Sequence, residues 1–369
     1  MTPGLLAFVA AITAVKLLLA PSWGWTNDIQ LLLIQATGHP VPYPTGNYAF
    51  AANALWLARS MGLPFVFWMK VPAILADVVV ALVMGTMARG GRRVVLAYLL
   101  SPVSILLSAY HGQVHTVATA AAVIALWAAD RERLGLSGIA LALAVGIRQH
   151  FGILIIPLVL RARSRWLPLA AGFTLAFAFV AIAVWGGYSG RLVSPHIVYG
   201  AWGYGMLLLQ GPRVLELLGV HGAIRMAGPV NRGLVAYGPL VSWIWIVVFI
   251  IWVWRRRSAQ IDLWRAALVY LVGQYVISPG FGVQWLIWAL PLWLVVDWRG
   301  ALIYSGLAGA FLAGSYWQWS LNAAYGVASI TANLSLLRRA DLIGVVLVGC
   351  CGLLTWAYCA RSAWRFARG

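Results

Sequence analysis

Apolar residues run along this chain in long, unalternating stretches. They fall near residues 4–20, 66–88, 94–110, 115–129, 136–147, 151–160, 167–186, 233–254, 266–278, 284–296, 300–315 and 341–360. Runs of this length without a two-residue period predict helices. Stretches near twenty residues match the hydrocarbon thickness of a bilayer, where a spanning segment must pair its backbone groups internally. The pattern predicts an all-α integral membrane protein with about eleven to twelve transmembrane helices, organised as one polytopic domain over residues 1–369. The runs at 136–147 and 151–160 are each too short to span untilted. With "GIRQH" between them they predict a bent or re-entrant pair.

The polar positions between the runs set an orientation. With "RGGRR" (Arg89 to Arg93) inside, alternation also puts "DRER", "RARSR", "RRRSAQIDLWR", "DWR" and the tail "RSAWRFAR" inside. Sixteen arginines then lie inside and eight outside, the bias that membrane insertion produces. Both termini fall in the cytoplasm. Residues 21–65, 187–232 and 316–339 become long outer segments, rich in Trp and Tyr as interfacial helices are. The last of these is alternatively a span itself, which turns Arg338 and Arg339 inward. The opening "MTPGLLAFVAAITAVKLLLA" lacks a basic n-region and a small-residue cleavage site, so it reads as a retained first span.

Composition supports the same class. Of 369 residues 63% are hydrophobic and 9% charged, against about a quarter charged in soluble domains. The net charge of +18 comes from arginines scattered through short loops. Nucleic-acid binding needs a clustered basic face, so membrane lipids are the expected partners and nucleic acid is not. Cys350, Cys351 and Cys359 share the last run and read as small core residues with no disulfide framework. Abundant Arg, Ala and Gly beside only Lys16 and Lys70 point to a bacterial inner membrane.

Charge placement locates the chemistry. Asp130, Glu132, Asp262 and Asp297 fall inside beside arginines, as solvated loop charges, and Asp77 lies within the second run. Asp28, Glu216 and Asp341 sit at or near the outer face. So do all six histidines, at positions 39, 111, 115, 150, 196 and 221. Asp28, in "WGWTNDIQ", suits proton abstraction from a hydroxyl. Asn27 or Asp28 equally suits a helix N-cap before "IQLLLIQ". In "SAYHGQVHT", His111 and His115 are four apart and would share a helix face. That pair fits a metal with His150 or Asp28 as third ligand, or hydrogen-bond donation to an anionic substrate at a helix start.

In "VGIRQHFGILIIP", an arginine at bilayer depth costs about 2.5–3.5 kcal/mol, so Arg148 requires a partner. A lipid-linked phosphate fits the guanidinium fork; a backbone carbonyl or Asp77 is the structural alternative. Lys70 and Asp77, in "WMKVPAILADVVV", share one helix face and suit packing and ion pairing or a proton relay. "SPGFGVQWLIWALPLW" places Gln284, Trp285 and Trp288 after an outer turn, as an interfacial aromatic belt would. There is no nucleotide phosphate loop, dinucleotide glycine fingerprint or serine elbow. Reactive groups must arrive by lipid or by gradient, and no cofactor is expected.

Taken in order, these stretches resemble the polytopic GT-C glycosyltransferases, especially bacterial mannosyltransferase-like members that use polyprenyl-phosphate sugars. The likeness rests on Asp28 after the first span and on "YPTGNY", with Tyr43, where many members have a tyrosine-proline motif. It continues through "KVPAILAD", "LSPVSILLSAYHGQVHT", "GIRQHFGILIIP" and "FGVQWLIWALPL", over most of residues 20–295. The resemblance implies an outward-facing cavity with Asp28 as catalytic base. Arg148, His150, His111, Gln113, His115, Tyr43, Gln284 and Arg338 become substrate- or phosphate-binding groups. The implied reaction moves a mannose-like hexose or pentose from polyprenyl phosphate to a hydroxyl of a lipid, glycan or protein, with inversion and without a metal.

Two positions depart from the family pattern. Gln113-Val114-His115 has a histidine where members often have an acid after "GQ" and an aromatic residue. Arg148 stands where many have a lysine, keeping the charge and changing the geometry. Two rival classes remain. A secondary transporter or flippase of a lipid-linked or anionic substrate would use Lys70, Asp77 and the outer histidines, although transporters place such groups near mid-membrane. A metal-dependent membrane enzyme would be built on His111, His115 and His150.

Overall fold

The computed structural model describes residues 2–24, 27–38, 45–87, 91–185, 204, 205, 208, 212, 215, 219–256, 262–280, 282–324 and 345–368. Of these, it leaves undescribed the side chains at 27, 28, 45–49, 183–185, 224, 227, 231, 235, 318–324, 345 and 346. Tyr43, Arg338, His39, His196, Glu216 and Asp341 lie outside the described residues. Regular structure among the described residues is helical, with no strand. The expectation of an all-α chain holds.

Among the described residues three helical stretches are long and apolar enough to cross a membrane: Phe65–Gly85, Gln149–Ile182 and Gly228–Arg255. The segments Gly91–Leu99 and Pro102–His111 make a fourth if counted as one span, bent by 47°. Shorter apolar helices include Pro3–Leu19, His115–Asp130 and Leu134–Ile147. Run length alone pointed to about eleven to twelve full spans. Helix terminators divide at least one of the apolar runs. Ser101 and Pro102 interrupt one, with the Ser101 hydroxyl capping the amide of Val103 at 3.2 Å. Proline disfavours helical geometry in the residue before it.

Packing divides the chain into two compact units. The first comprises Met1–Pro195, Val253–Ala267 and Ile287–Leu302; the second comprises His196–Trp252, Leu268–Leu286 and Ile303–Gly369. In the first unit α1 (Pro3–Leu19) starts at Thr2, whose hydroxyl accepts from the Leu5 amide, with Pro3 at the position where a missing N–H costs nothing. The next helices are α2 (Asn27–Ala36), α3 (Thr45–Met61) and α4 (Phe65–Gly85). Ile29, Leu32, Leu33 and Ala36 repeat at helical spacing along one face of α2. That face packs with Ala51 and Ala54 of α3 and Phe65, Val66 and Met69 of α4.

Beyond α5 (Gly91–Leu99), α6 (Pro102–Ile105) continues as a π-helical turn, Leu106–His111. Gly112 closes this turn in the left-handed region, at φ 69°, with its amide on the carbonyl of Leu107. Then follow α7 (His115–Asp130), α8 (Leu134–Ile147), a 3₁₀ stretch (Gln149–Leu154), α9 (Ile155–Ala162) and α10 (Trp166–Trp185). Helices α8 and α10 meet backbone to backbone. A Cβ on Gly138 would strike the Leu169 carbonyl, and one on Gly172 the Gly135 carbonyl. Small residues that let backbones approach this closely are characteristic of helix contacts in membranes.

The second unit holds most of α11 (Ala227–Arg255), the later part of α12 (Leu263–Ile277), and α15 (Cys351–Arg368). It also holds α14 (Trp298–Ala324) from Ile303, whereas α13 (Leu286–Val296) lies almost wholly in the first unit. Indole donors stitch it together: Trp245 donates to the Tyr270 carbonyl at 3.1 Å, Trp356 to Val276 at 3.2 Å and Trp252 to Ala367 at 3.1 Å. Gly273 admits the Trp245 ring, which would collide with any side chain there.

The loop acids have more defined roles than solvated charge. Asp262 accepts from the Trp264 and Arg265 amides at the start of α12, and Asp297 from the Gly300 amide at the start of α14, both as helix caps. Asp130 accepts from the Trp264 indole at 2.6 Å. Asp130 and Glu132 are both exposed, and Glu132 pairs at 3.1 Å with Arg165.

Candidate functional site

The first unit buries two polar clusters. One lies among α1, α4, α5, α6 and the π-helical turn. Lys16 pairs with Asp77 at 2.5 Å and donates to the hydroxyls of Ser104 and Ser108 at 2.9 and 3.1 Å. Asp77 also accepts from Tyr98 at 2.6 Å and from Ser104 at 3.0 Å. All five side chains are buried. A charge inside an apolar run requires a partner, and that signal, present at Lys16 in the sequence, was the one to follow. Asp77 therefore pairs with Lys16 and not with Arg148, and Lys70 on the same helix engages other atoms.

The second cluster forms where helices end. Arg148 terminates α8 with extended backbone, φ −143° and ψ 105°. Its amide still reaches the Ala144 carbonyl, while the chain leaves in a new direction as the 3₁₀ stretch. "GIRQH" thus marks a true break, as its sequence position predicted. The guanidinium turns inward: Nε donates to His115 Nε2 at 2.9 Å, and Nη1 to the Ile147 carbonyl at 2.8 Å.

Trp288 of α13, fully buried, organises the rest. His115 stacks on it with centroids 5.4 Å apart and planes at 18°; His150 lies tilted at 5.2 Å and Phe151 at 5.3 Å. His111 and His150 are both within electrostatic reach of His115. His111 and Gln113 are buried just before the start of α7. The resulting patch sets a fixed cation, three imidazoles and a carboxamide around the N-terminus of α7, a 16-residue helix whose start has no side-chain cap. Free N-terminal amides and the helix dipole favour an anion.

The i,i+4 expectation for His111 and His115 is corrected. His111 ends the π-helical turn and His115 begins α7, with left-handed Gly112 between them, so they do not share a helix. Nor do the histidines gather as ligands: among the described residues no group of three His, Cys, Asp or Glu side chains is placed to hold a metal. His115 and His150 instead present ring faces to Trp288.

Asp28 lies in the first turn of α2, one residue after its start. A carboxylate there suits the positive end of the helix dipole; its side chain lies outside the described residues. Gln284 sits in the second unit, buried in the 3₁₀ turn Val283–Trp285 with its amide folded over Gly282. Sequence reasoning passed over Thr116. Its hydroxyl is fully buried in the first turn of α7 and meets no hydrogen-bond partner among the described residues. Its place directly after His115 at an uncapped helix start was the available signal. Trp288 appeared in sequence as interfacial belt, because an indole that stacks on imidazoles has the same local context as one facing lipid headgroups.

Comparison of the chain with protein-family models, curated proteins and solved structures finds no match.

Proposed function

We propose that this chain is a membrane glycosyltransferase of GT-C type. It moves a mannose-like hexose or pentose from a polyprenyl-phosphate donor to an acceptor hydroxyl at the outer face of a bacterial inner membrane. The observation that carries the reading is the buried Arg148–His115–Trp288–His150 patch at the start of α7. It combines a guanidinium, an uncapped helix N-terminus and the Thr116 hydroxyl, which suits the phosphate of a lipid-linked sugar.

In the reaction, Asp28 takes the acceptor hydroxyl proton as its oxygen attacks the anomeric carbon, a contribution of about 10²–10⁴-fold. The bond from that carbon to the phosphate oxygen breaks on the opposite face, giving inversion. Charge growing on the departing phosphate is offset by Arg148 and the α7 amides. Fixed donors suffice for a monophosphate leaving group, so the reading asks for no metal.

The test is sugar transfer from a panel of radiolabelled polyprenyl-phosphate sugars by purified protein, with Asp28→Asn alongside and a chelator control. Turnover of one donor that disappears in Asp28→Asn and survives chelation supports the reading; no binding and no turnover of any donor sinks it.

The buried Lys16–Asp77 network favours one second reading, a secondary transporter or flippase, because intramembrane ion pairs also serve proton relays. Gradient-dependent movement of an anionic or lipid-linked substrate in proteoliposomes, persisting in Asp28→Asn, distinguishes it.

A further inference from the structure

Lys70, fully buried in α4, directs its ammonium to three backbone carbonyls: Ala20 at 3.2 Å, Trp23, and Gly24 at 2.9 Å. Three acceptors use the three hydrogens that an ammonium offers. The acceptors lie just beyond α1, at the negative end of its dipole, where a cation is favoured. A second set of contacts ties this segment to the π-helical turn. Trp23 meets Tyr110 edge to face at 5.3 Å, and Gly24, at φ 78°, lies so close to Tyr110 that a Cβ would fall 2.7 Å from its carbonyl. The Lys70 stem meanwhile fills the notch at Gly112, where a Cβ would run into its Cγ.

We infer that Lys70 is a positioning residue which holds the segment leading into Asp28 in register with the turn carrying His111, Gln113 and His115. Its head fixes residues 20–24, four positions before Asp28, and its stem packs on Gly112, the neighbour of Gln113. The preceding turn of the same helix, through Phe65, Val66 and Met69, holds the apolar face of α2. Helix α4 thus grips both the start of α2 and the approach to it. The kinetic half of this inference rests on the glycosyl-transfer reading; the structural half does not.

The experiment compares wild type, Lys70→Met and Lys70→Arg, reconstituted in bilayers, by hydrogen exchange without substrate and by transfer from the labelled donor that wild type turns over. Lys70→Met should raise exchange in residues 18–24 and in 108–116 together, with α8 and α10 unchanged. Its kcat should fall at least about tenfold, because misplacing a reacting group by 1 Å costs up to about 10²-fold. Donor KM should stay within about twofold, the pattern of lost transition-state geometry and not of lost binding. Lys70→Arg, which keeps the donors, should recover part of kcat.

Exchange that rises in only one segment or in neither overturns the clamp. Unchanged kcat, or a KM increase alone, overturns the positioning role. Should Lys70→Met fail to fold, Trp23→Ala removes the aromatic half of the clamp at a partly exposed position. It is expected to show the same paired exchange and kcat loss, and wild-type behaviour there is equally decisive against the inference. A wild type that transfers from no donor sinks the glycosyl-transfer reading, while exchange still decides the clamp.

Discussion

Replacing Lys16 by methionine should destabilise the first unit through the carboxylate it leaves behind. Lys16 donates to Asp77, Ser104 and Ser108, and all of these groups are buried. Removing one partner of a buried ion pair costs about 3–5 kcal/mol, mostly from the uncompensated charge that remains. Here Asp77 keeps Tyr98 and Ser104 as donors, and Ser108 keeps the Ser104 carbonyl at 2.8 Å. The lower end, about 3 kcal/mol, is therefore expected. At about 2 °C per kcal/mol for a large chain, that is a fall of about 6 °C in the thermal midpoint. Asp77→Asn should cost a similar amount by stranding the ammonium. The double variant Lys16→Met/Asp77→Asn, with no charge left in this network, should be no worse than either single change, because residues in one network do not add. The assay is thermal unfolding in detergent monitored by intrinsic fluorescence, all four proteins scanned at one rate. Additive losses, or a Lys16→Met midpoint equal to wild type, would refute the view that this pair is a mutually compensating unit.

Three further outcomes follow from the same geometry. Arg148→Lys keeps the charge and loses the planar fork that reaches His115 at 2.9 Å; with about 1.5–3 kcal/mol in a charged hydrogen bond, donor turnover should fall by about 10- to 150-fold, and wild-type kinetics would contradict the assignment. Trp288→Ala removes the surface against which His115, His150 and Phe151 pack; it should cost about 3–5 kcal/mol, read as a lowered unfolding midpoint, whereas an unchanged midpoint would mean the cluster does not depend on the indole. The Arg165 guanidinium holds the Glu132 carboxyl below its ordinary value of 4.5. That pair therefore favours the folded state above about pH 4.5 and stops doing so as pH falls through the lowered value; both groups are exposed, so Glu132→Gln should leave the neutral-pH midpoint unchanged within error.

What the sequence made legible was helical class and the places where helices stop. "GIRQH" reads as a break, and the structure has one there, because an arginine in a short apolar pair is a local signal. The positions of single polar residues were also legible, since a charge in an apolar run stands out whatever its partner. Partner identity was not. Asp77 is seven residues from Lys70 on one helix, yet it pairs with Lys16, sixty-one residues away; a common helix face says nothing about which neighbouring helix supplies the counter-charge. The shared face expected of His111 and His115 failed for a related reason. Spacing of four implies one continuous helix, and the left-handed Gly112 between them ends one helical segment before the other begins.

The two lysines show how one residue type serves opposite ends of the same problem. Both lie in apolar helices where an ammonium is expensive, and each is fully enclosed by groups that accept its hydrogens. Lys16 meets a carboxylate and two hydroxyls, so its environment carries a neutralising charge. Lys70 meets carbonyls at the end of α1, so its partner is a bundle of dipoles. A lysine–carboxylate pair can be exchanged for apolar side chains with little loss, since both charges leave together. A lysine bound to carbonyls cannot, because its removal strands backbone groups that no substitution deletes. Of the two, Lys70 is therefore the position where the chain tolerates least, and it is also the one whose contacts reach both segments that the proposed chemistry must bring together.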